Sequence, residues 1–240
     1  MKFWLPMLLL LIGMRIAAEE KSASVAEPHF FKTQISRETS VRYLISLPSG
    51  YRESKQQWPL IFFLHGGSGR GDDIHLVSRY GPPEIAAKRP DFPFIVLSPQ
   101  CPKGEIWADA DLLISLLDDV LARYRIDPDR VYLTGASMGG RGAWYLAYKH
   151  PERFAAIIPI CPWAPNIDWA PALKDIPIWV FHGDKDTLAP IGDSEDMIKA
   201  LQAVGNNAKF TVMPGRGHDI VDVYDRPDLY EWLLQRRLRH

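Results

Sequence analysis

The stretch RVYLTGASMGGRGAWYLAYKH, Arg130 to His150, constrains this chain more than any other. A β-rich apolar run reaches Gly135, a single serine follows at 137, and a helix-like run starts at once. A strand that passes into a helix within two residues leaves room only for tiny neighbours, and Gly135, Ala136, Gly139 and Gly140 supply them. The resulting G-x-S-x-G pattern pushes the serine into a strained backbone conformation and lifts its hydroxyl above the strand end. Amides at the helix start point into the same space, with the positive end of the helix dipole behind them. A serine in a glycine-rich turn can be purely structural; its position between strand and helix favours a chemical role.

The flanking segments predict the sheet that holds this turn. PLIFFLHGG and FPFIVLSPQ are continuous apolar runs, as expected of strands buried on both faces. DLLISLLDDVLARY sets Leu113, Leu116, Leu117, Val120 and Tyr124 on one helical stripe. After the serine turn come the strand FAAIIPI, the strand IPIWVFHG, the helix SEDMIKALQAVG, the strand AKFTVMP and a final helix from about Pro227. Strands alternating with helices predict an α/β fold: a mostly parallel central sheet with helices on both faces. Two alternating segments near the start, HFFKTQIS and VRYLISLP, read as an antiparallel pair joined near Arg37–Ser40, which would add an antiparallel N-terminal edge. The terminal LLQRRLRH reads as the solvated last turns of the final helix.

At 240 residues, with no repeat or internal linker, the chain suits one domain over residues 19–240. Residues 1–18 read as a secretory signal peptide: Lys2, then a short apolar run to Ile12, then Ala17 and Ala18. An uncleaved anchor is the alternative, and a secreted or periplasmic location with no stable membrane partner after cleavage is expected. The formal net charge of -1 offers no basic field, so no nucleic-acid partner is expected. The two cysteines, Cys101 and Cys161, each follow a predicted strand; in an exported protein they could pair, and sequence leaves that open. Two cysteines without paired histidines make a poor zinc site, so no metal is expected.

A serine nucleophile needs a base. Of the seven histidines, His29, His75, His150 and His240 lie at ends or in ordinary helix and loop contexts. His65 and His182 close buried strands as LHGG and FHGD, where a ring usually bonds nearby backbone. His218, in PGRGHDI, follows the last strand in a glycine-rich loop that can reach back over the sheet edge, and it is the candidate base. The base needs an acid to hold its tautomer. FHGDKDTLAP offers Asp184 and Asp186; Asp186 lies further from the strand, where the loop turns toward the histidine, and is favoured. HGGSGRG lets backbone amides approach a substrate oxygen, so the N–H groups of Gly67 and Met138 would form an oxyanion hole. No lysine and hydroxyl pair follows those glycines, which excludes a phosphate loop.

FFLHGGSGRGDD, LSPQCP, YRIDPDRVYLTGASMGGRGAW and VFHGDKDTLAP together resemble the α/β-hydrolase superfamily over nearly the whole chain after the leader. They are similar to secreted esterases of the feruloyl-esterase and polyhydroxybutyrate-depolymerase type, to the small phospholipase/carboxylesterases and to peptidases near the prolyl oligopeptidases. The resemblance implies an α/β-hydrolase fold with Ser137 as nucleophile, Asp186 as acid, His218 as base and no cofactor. The chain lacks a propeller segment, which weakens the peptidase branch. CPWAPNIDWAPALKD, where a helical lid would be inserted, is too short for a large one. Trp107, Trp163 and Trp169 are candidates for an aromatic wall at an open mouth, with Trp107 and Trp163 taken as substrate-binding residues. The expected activity is hydrolysis of carboxylic esters, small or polysaccharide-linked, through an acyl-enzyme. A small serine peptidase is the alternative, and a non-catalytic binding protein of the same fold is less favoured.

Overall fold

The computed structural model describes residues 30–33 and 36–238. Residues 1–38 and 39–240 separate as two compact units. The described residues of the first form neither helix nor strand, and the leader expected over 1–18 lies outside the described residues. Among the described residues no helix is long and apolar enough to cross a membrane.

The second unit is built on a sheet of β1 (Tyr43–Ser46), β2 (Trp58–Leu64), β3 (Ile95–Pro99), β4 (Ile126–Ala136), β5 (Ala156–Ile160), β6 (Trp179–Gly183) and β7 (Lys209–Met213). Their spatial order is β1-β3-β2-β4-β5-β6-β7. Every neighbouring pair is parallel except β1 with β3, which run antiparallel from Tyr43 opposite Pro99 to Ser46 opposite Val96. The antiparallel N-terminal edge is therefore present, but it is made differently from the expected hairpin. The described residues of HFFKTQIS are not strand, and β1 pairs instead with a strand about fifty residues later. The expectation rested on local alternation, which fixes a face and not a partner.

Side-chain alternation sorts the strands between two cores. Leu60, Phe62 and Leu64 of β2 join Leu97, Leu133 and Val180 on one face, under α2 (Ala110–Arg123), α3 (Met138–Lys149) and α4 (Ile191–Ala203). Ile61 and Phe63 join Val96, Tyr132 and Phe181 on the other, under α1 (Pro82–Lys88) and α5 (Pro227–Leu234). Both faces of the sheet are covered, which is why these strands read as unbroken apolar runs. The short α1 has no apolar stripe to announce it. Its signal is local: Gly81 at positive φ before Pro82 and Pro83 in the first turn. The basic tail also departs from expectation. α5 stops at Leu234, and Arg237 beyond it pairs with Asp127 and Asp129 at the start of β4.

The chain runs from β2 outward to β3, then returns across β2 to β4, so the strand order reverses between β2 and β4. In open parallel sheets the crevice outside the carboxyl ends at such a reversal is where ligands bind. The loop that opens at Gly66 and the turn at Ser137 meet there.

Candidate active site

β4 delivers Ser137 to the head of α3, where its backbone sits at φ 57, ψ -117. A non-glycine residue in that region costs about 1–3 kcal/mol and persists only when its surroundings hold it. The surroundings are visible. Ser137 N–H donates to Ile160 O at 2.8 Å, and its carbonyl accepts from Arg141 at 3.0 Å and Trp163 at 3.4 Å. The flanking glycines are required by contact distance. A Cβ on Gly139 would lie 1.8 Å from Leu64 O, and one on Gly135 would lie 2.4 Å from the Gly139 carbonyl. Met138 opens α3, so its amide is among the first-turn donors that an α-helix leaves without internal partners.

The loop after β2 closes the other wall. A Cβ on Gly66 would lie 3.6 Å from Ser137 Cβ and 3.2 Å from Ala136 O, so the loop passes directly beside the serine. Gly66 N–H donates to Tyr80 Oη at 2.5 Å, and Gly67 begins a short 3-10 turn to Gly69. His65 pins this loop. Its Nδ1 donates to Gly66 O at 2.7 Å and its Nε2 accepts from Cys101 N–H at 3.0 Å. The carbonyl can only accept, which fixes the tautomer, and burial lowers the ring's pKa so that Nε2 stays bare.

Asp186 follows β6 and His218 follows β7. His218 Nδ1 lies 2.6 Å from Asp186 Oδ2, and His218 Nε2 lies 2.8 Å from Ser137 Oγ. The three residues singled out in sequence thus form one hydrogen-bonded chain. The Asp186 side chain is fully buried and that of His218 is 23% exposed. Burial opposes the Asp186 charge, but the amides of Ala189 and Leu188 on Oδ1, at 2.8 and 2.9 Å, together with His218 outweigh it and hold the carboxyl below its ordinary range. Asp184 has the other role open to it: it accepts from Gly215 N–H at 2.7 Å and ties the two loops together. Lys185 N–H donates to Arg216 O at 2.8 Å, and a Cβ on Gly183 would lie 2.2 Å from Gly217 O. Arg216 in turn makes a two-pronged pair with Asp222, at 2.9 and 3.1 Å, across the loop that carries His218.

The tryptophans divide. Trp163 is 46% exposed and sits against the Ser137 carbonyl through its own N–H. Trp107, expected at the mouth, is instead buried: its Nε1 donates to His65 O at 2.9 Å, and its ring packs on Gly142 and edge-on to His65. An indole with its N–H committed and its faces covered supports the loop rather than a substrate. Trp169 is buried too, stacked on Tyr148. The connection from β5 to β6 holds one 3-10 segment, Ile167–Leu173, and no large lid.

The cysteines are free and buried at the ends of β3 and β5, with β2 and β4 between them. Burial pushes the Cys161 thiol up to about 12 and the Cys101 thiol up to about 11. Cys161, His182 and Asp186 bring metal-ligating atoms within 4.8 Å of one another. The thiol is held protonated, and His182 Nε2 faces Ala189 O at 2.8 Å as a donor, so this set is spent on hydrogen bonds. The hydrogen bond from Gly66 N–H to Tyr80 and the placing of His182 beside Asp186 were not visible in sequence; a histidine four residues before Asp186 was the single available hint of the second.

The fold is that of the α/β-hydrolases, with the reversal-point crevice occupied by the Ser137 turn. A profile of the phospholipase/carboxylesterase family matches residues 97–224, more than half of the chain, and the protein belongs to that family. It is 41% identical to Cutinase 1 of Thermobifida cellulosilytica over 69 residues, 29% of this chain and 25% of that one. It is 26% identical to acyl-protein thioesterase 1 homolog 2 of Dictyostelium discoideum over 186 residues, 66% of this chain and 84% of that one. The crystal structure of a thermostable esterase superposes with a TM-score of 0.70 at 29% identity, covering 82% of this chain and 59% of that chain. The chain spans about a quarter of the length of the cutinase relatives it matches.

Proposed function

We propose that this protein hydrolyses carboxylic esters through an acyl-enzyme on Ser137. The observation that carries the reading is the unbroken chain from buried Asp186 through His218 to the Ser137 hydroxyl. His218 Nε2 takes the Ser137 proton as Oγ attacks the ester carbonyl. The charge that develops on the carbonyl oxygen is met by the Gly67 and Met138 amides, on opposite walls of the crevice. His218 then protonates the departing alkoxide, and water repeats the sequence on the acyl-enzyme with His218 again as base. Asp186, ionised and held by two amides, keeps His218 in the tautomer that accepts at Nε2 and offsets the imidazolium charge. No step calls for a metal or cofactor.

The short β5–β6 connection, with exposed Trp163 beside the serine, suits bulky or polymer-linked esters with a planar or apolar acyl group. The family named by the matching profile and the esterase and cutinase relatives support ester over amide chemistry. A leader over residues 1–18 would place the enzyme outside the cytoplasm.

The test is a panel of p-nitrophenyl acetate, p-nitrophenyl butyrate, methyl ferulate and a peptide amide, each run with Ser137→Ala as control. Ester turnover should fall about 10^6-fold in kcat in that variant, leaving the residual rate that binding and the oxyanion hole provide. Full activity in the variant, or a preference for the amide in the unmodified protein, would end the ester reading.

A further inference from the structure

Asp186 has a second histidine. His182, the fourth residue of β6, is fully buried, and its Nε2 lies 3.2 Å from Asp186 Oδ2, the oxygen that also takes His218. The same Nε2 lies 2.8 Å from Ala189 O. A carbonyl oxygen carries no proton, so Nε2 bears the hydrogen and donates it to Ala189 O, with Asp186 Oδ2 beside it at 3.2 Å. A neutral ring then has a bare Nδ1, and Ser194 Oγ stands 2.8 Å from it as the donor. Ser194 is itself buried, in the first turn of α4. The opposite tautomer of His182 would turn a lone pair toward a carbonyl and a carboxylate together, so Ala189 O and Asp186 fix the tautomer, and the Ser194 hydroxyl donates to the Nδ1 left bare.

We propose that His182 and Ser194 are positioning residues for the acid: Ser194 holds the His182 ring at Nδ1, and the Nε2–H edge of that ring, 3.2 Å from Asp186 Oδ2, places and partly neutralises the oxygen that faces His218. The inference rests on the reading of Ser137, His218 and Asp186 given above. Asp186 Oδ2 then lies between two imidazoles, bonded to His218 and flanked at 3.2 Å by His182, whose ring is held from α4 by Ser194. Anchoring a loop would require only the bond from Nε2 to Ala189 O. The 3.2 Å approach to Oδ2 adds control over the field that His218 feels, because the N–H dipole beside that oxygen offsets part of the charge that stabilises the imidazolium. The other titratable groups around the cluster are the Cys161 thiol from the end of β5, and Arg216 and Asp219 on the His218 loop, which act on Cys161. Asp184 and Lys185 on the Asp186 loop itself are engaged with Gly215 and Arg216.

The experiment is the pH dependence of kcat/KM for p-nitrophenyl acetate in the unmodified protein, Ser194→Ala, His182→Leu and His182→Gln, with thermal melting of each. Ser194→Ala removes one oxygen and should melt close to the parent. Its kcat should fall about tenfold with KM within about twofold. Its acid limb should move to higher pH, since a carboxylate with the His182 N–H held less firmly beside it stabilises the His218 imidazolium more. His182→Leu should show the same shift, larger, and His182→Gln, whose amide N–H can again reach Oδ2, should return the limb toward its original position. A Ser194→Ala protein that melts like the parent and keeps both kcat and the acid limb would overturn the proposal. Ester turnover by the unmodified protein that does not depend on Ser137 would remove the reading beneath it as well.

Discussion

The two halves of the crevice are built from different material. After β2 and β4, the closest approaches are between main chains: Gly139 leaves no space for a Cβ beside Leu64 O and Gly66 runs against Ser137, with His65, Tyr80 and Trp107 bracing the loop. After β6 and β7, the contacts are between side chains: Asp186 is bonded to His218 and flanked by His182, and Asp184 and Arg216 clamp the loops. The main-chain half is specified by which side chains are missing. The side-chain half is specified by which donor meets which acceptor. The first has little freedom to adjust and presents partial charges; the second carries the full charges and the titration.

The comparison breaks most visibly at Asp186. In Asp186→Asn the shape is kept and the charge is lost, and an amide nitrogen can hold His218 in the wrong tautomer. Ester kcat should drop about 10^4-fold. The same variant should change stability against pH. The folded carboxyl titrates below its ordinary value of about 3.9, so its contribution is complete above that value and is lost as the pH falls through the lower folded value. The melting temperature of the parent should therefore fall more steeply below about pH 4 than that of Asp186→Asn. A loss of activity under tenfold, or melting curves of the same slope, would mean that the charge of the side-chain half does little.

The main-chain half can be tested without touching a charge. Gly67 starts a 3-10 turn after an extended Gly66, a position where proline is tolerated, and its Cβ would meet only the Arg70 guanidinium at 3.5 Å. Gly67→Ala keeps the amide and should stay near the parent. Gly67→Pro removes the amide and should lower kcat about 10^2–10^3-fold with a smaller change in KM. Equal activity in the two variants would place the oxyanion donor elsewhere in the crevice.

This division also explains what sequence could reveal. Glycines 135 and 139 declare the serine turn because only missing side chains permit it, and the apolar runs declare strands covered on both faces. The mostly parallel sheet and the serine turn were legible for those reasons; His218 and Asp186 were singled out by the loops they lie on, and the structure brings their side chains together with Ser137. The partner of β1 was not, since alternation carries no register. Nor were the positions of Tyr80, His182 and Ser194, which lie 14, 4 and 12 residues along the chain from their partners Gly66, Asp186 and His182, with no spacing rule to connect them. Trp107 was misjudged because an indole near a strand end fits a mouth and a buried brace equally well, and only the hydrogen bond to His65 O distinguishes them.

The smallest expected effect separates the two tryptophans, and with them substrate contact from loop support. Trp163 is about half exposed and touches the turn only through its backbone N–H, so Trp163→Ala should leave the fold and melting temperature near the parent. If its ring forms the acyl wall, KM for methyl ferulate should rise about two- to tenfold, the range of one aromatic contact, while KM for p-nitrophenyl acetate stays nearly level. Trp107→Phe should do the reverse. It keeps most of the packing on Gly142 and gives up the bond to His65 O, so stability should fall by about 1 kcal/mol with the ferulate-to-acetate ratio unchanged. A selectivity change in Trp107→Phe alone would mean that His65 transmits the brace to Gly67 and so to the oxyanion. The main-chain half would then depend on a side-chain hydrogen bond for its shape, and the contrast between the two halves would narrow to the charges they carry.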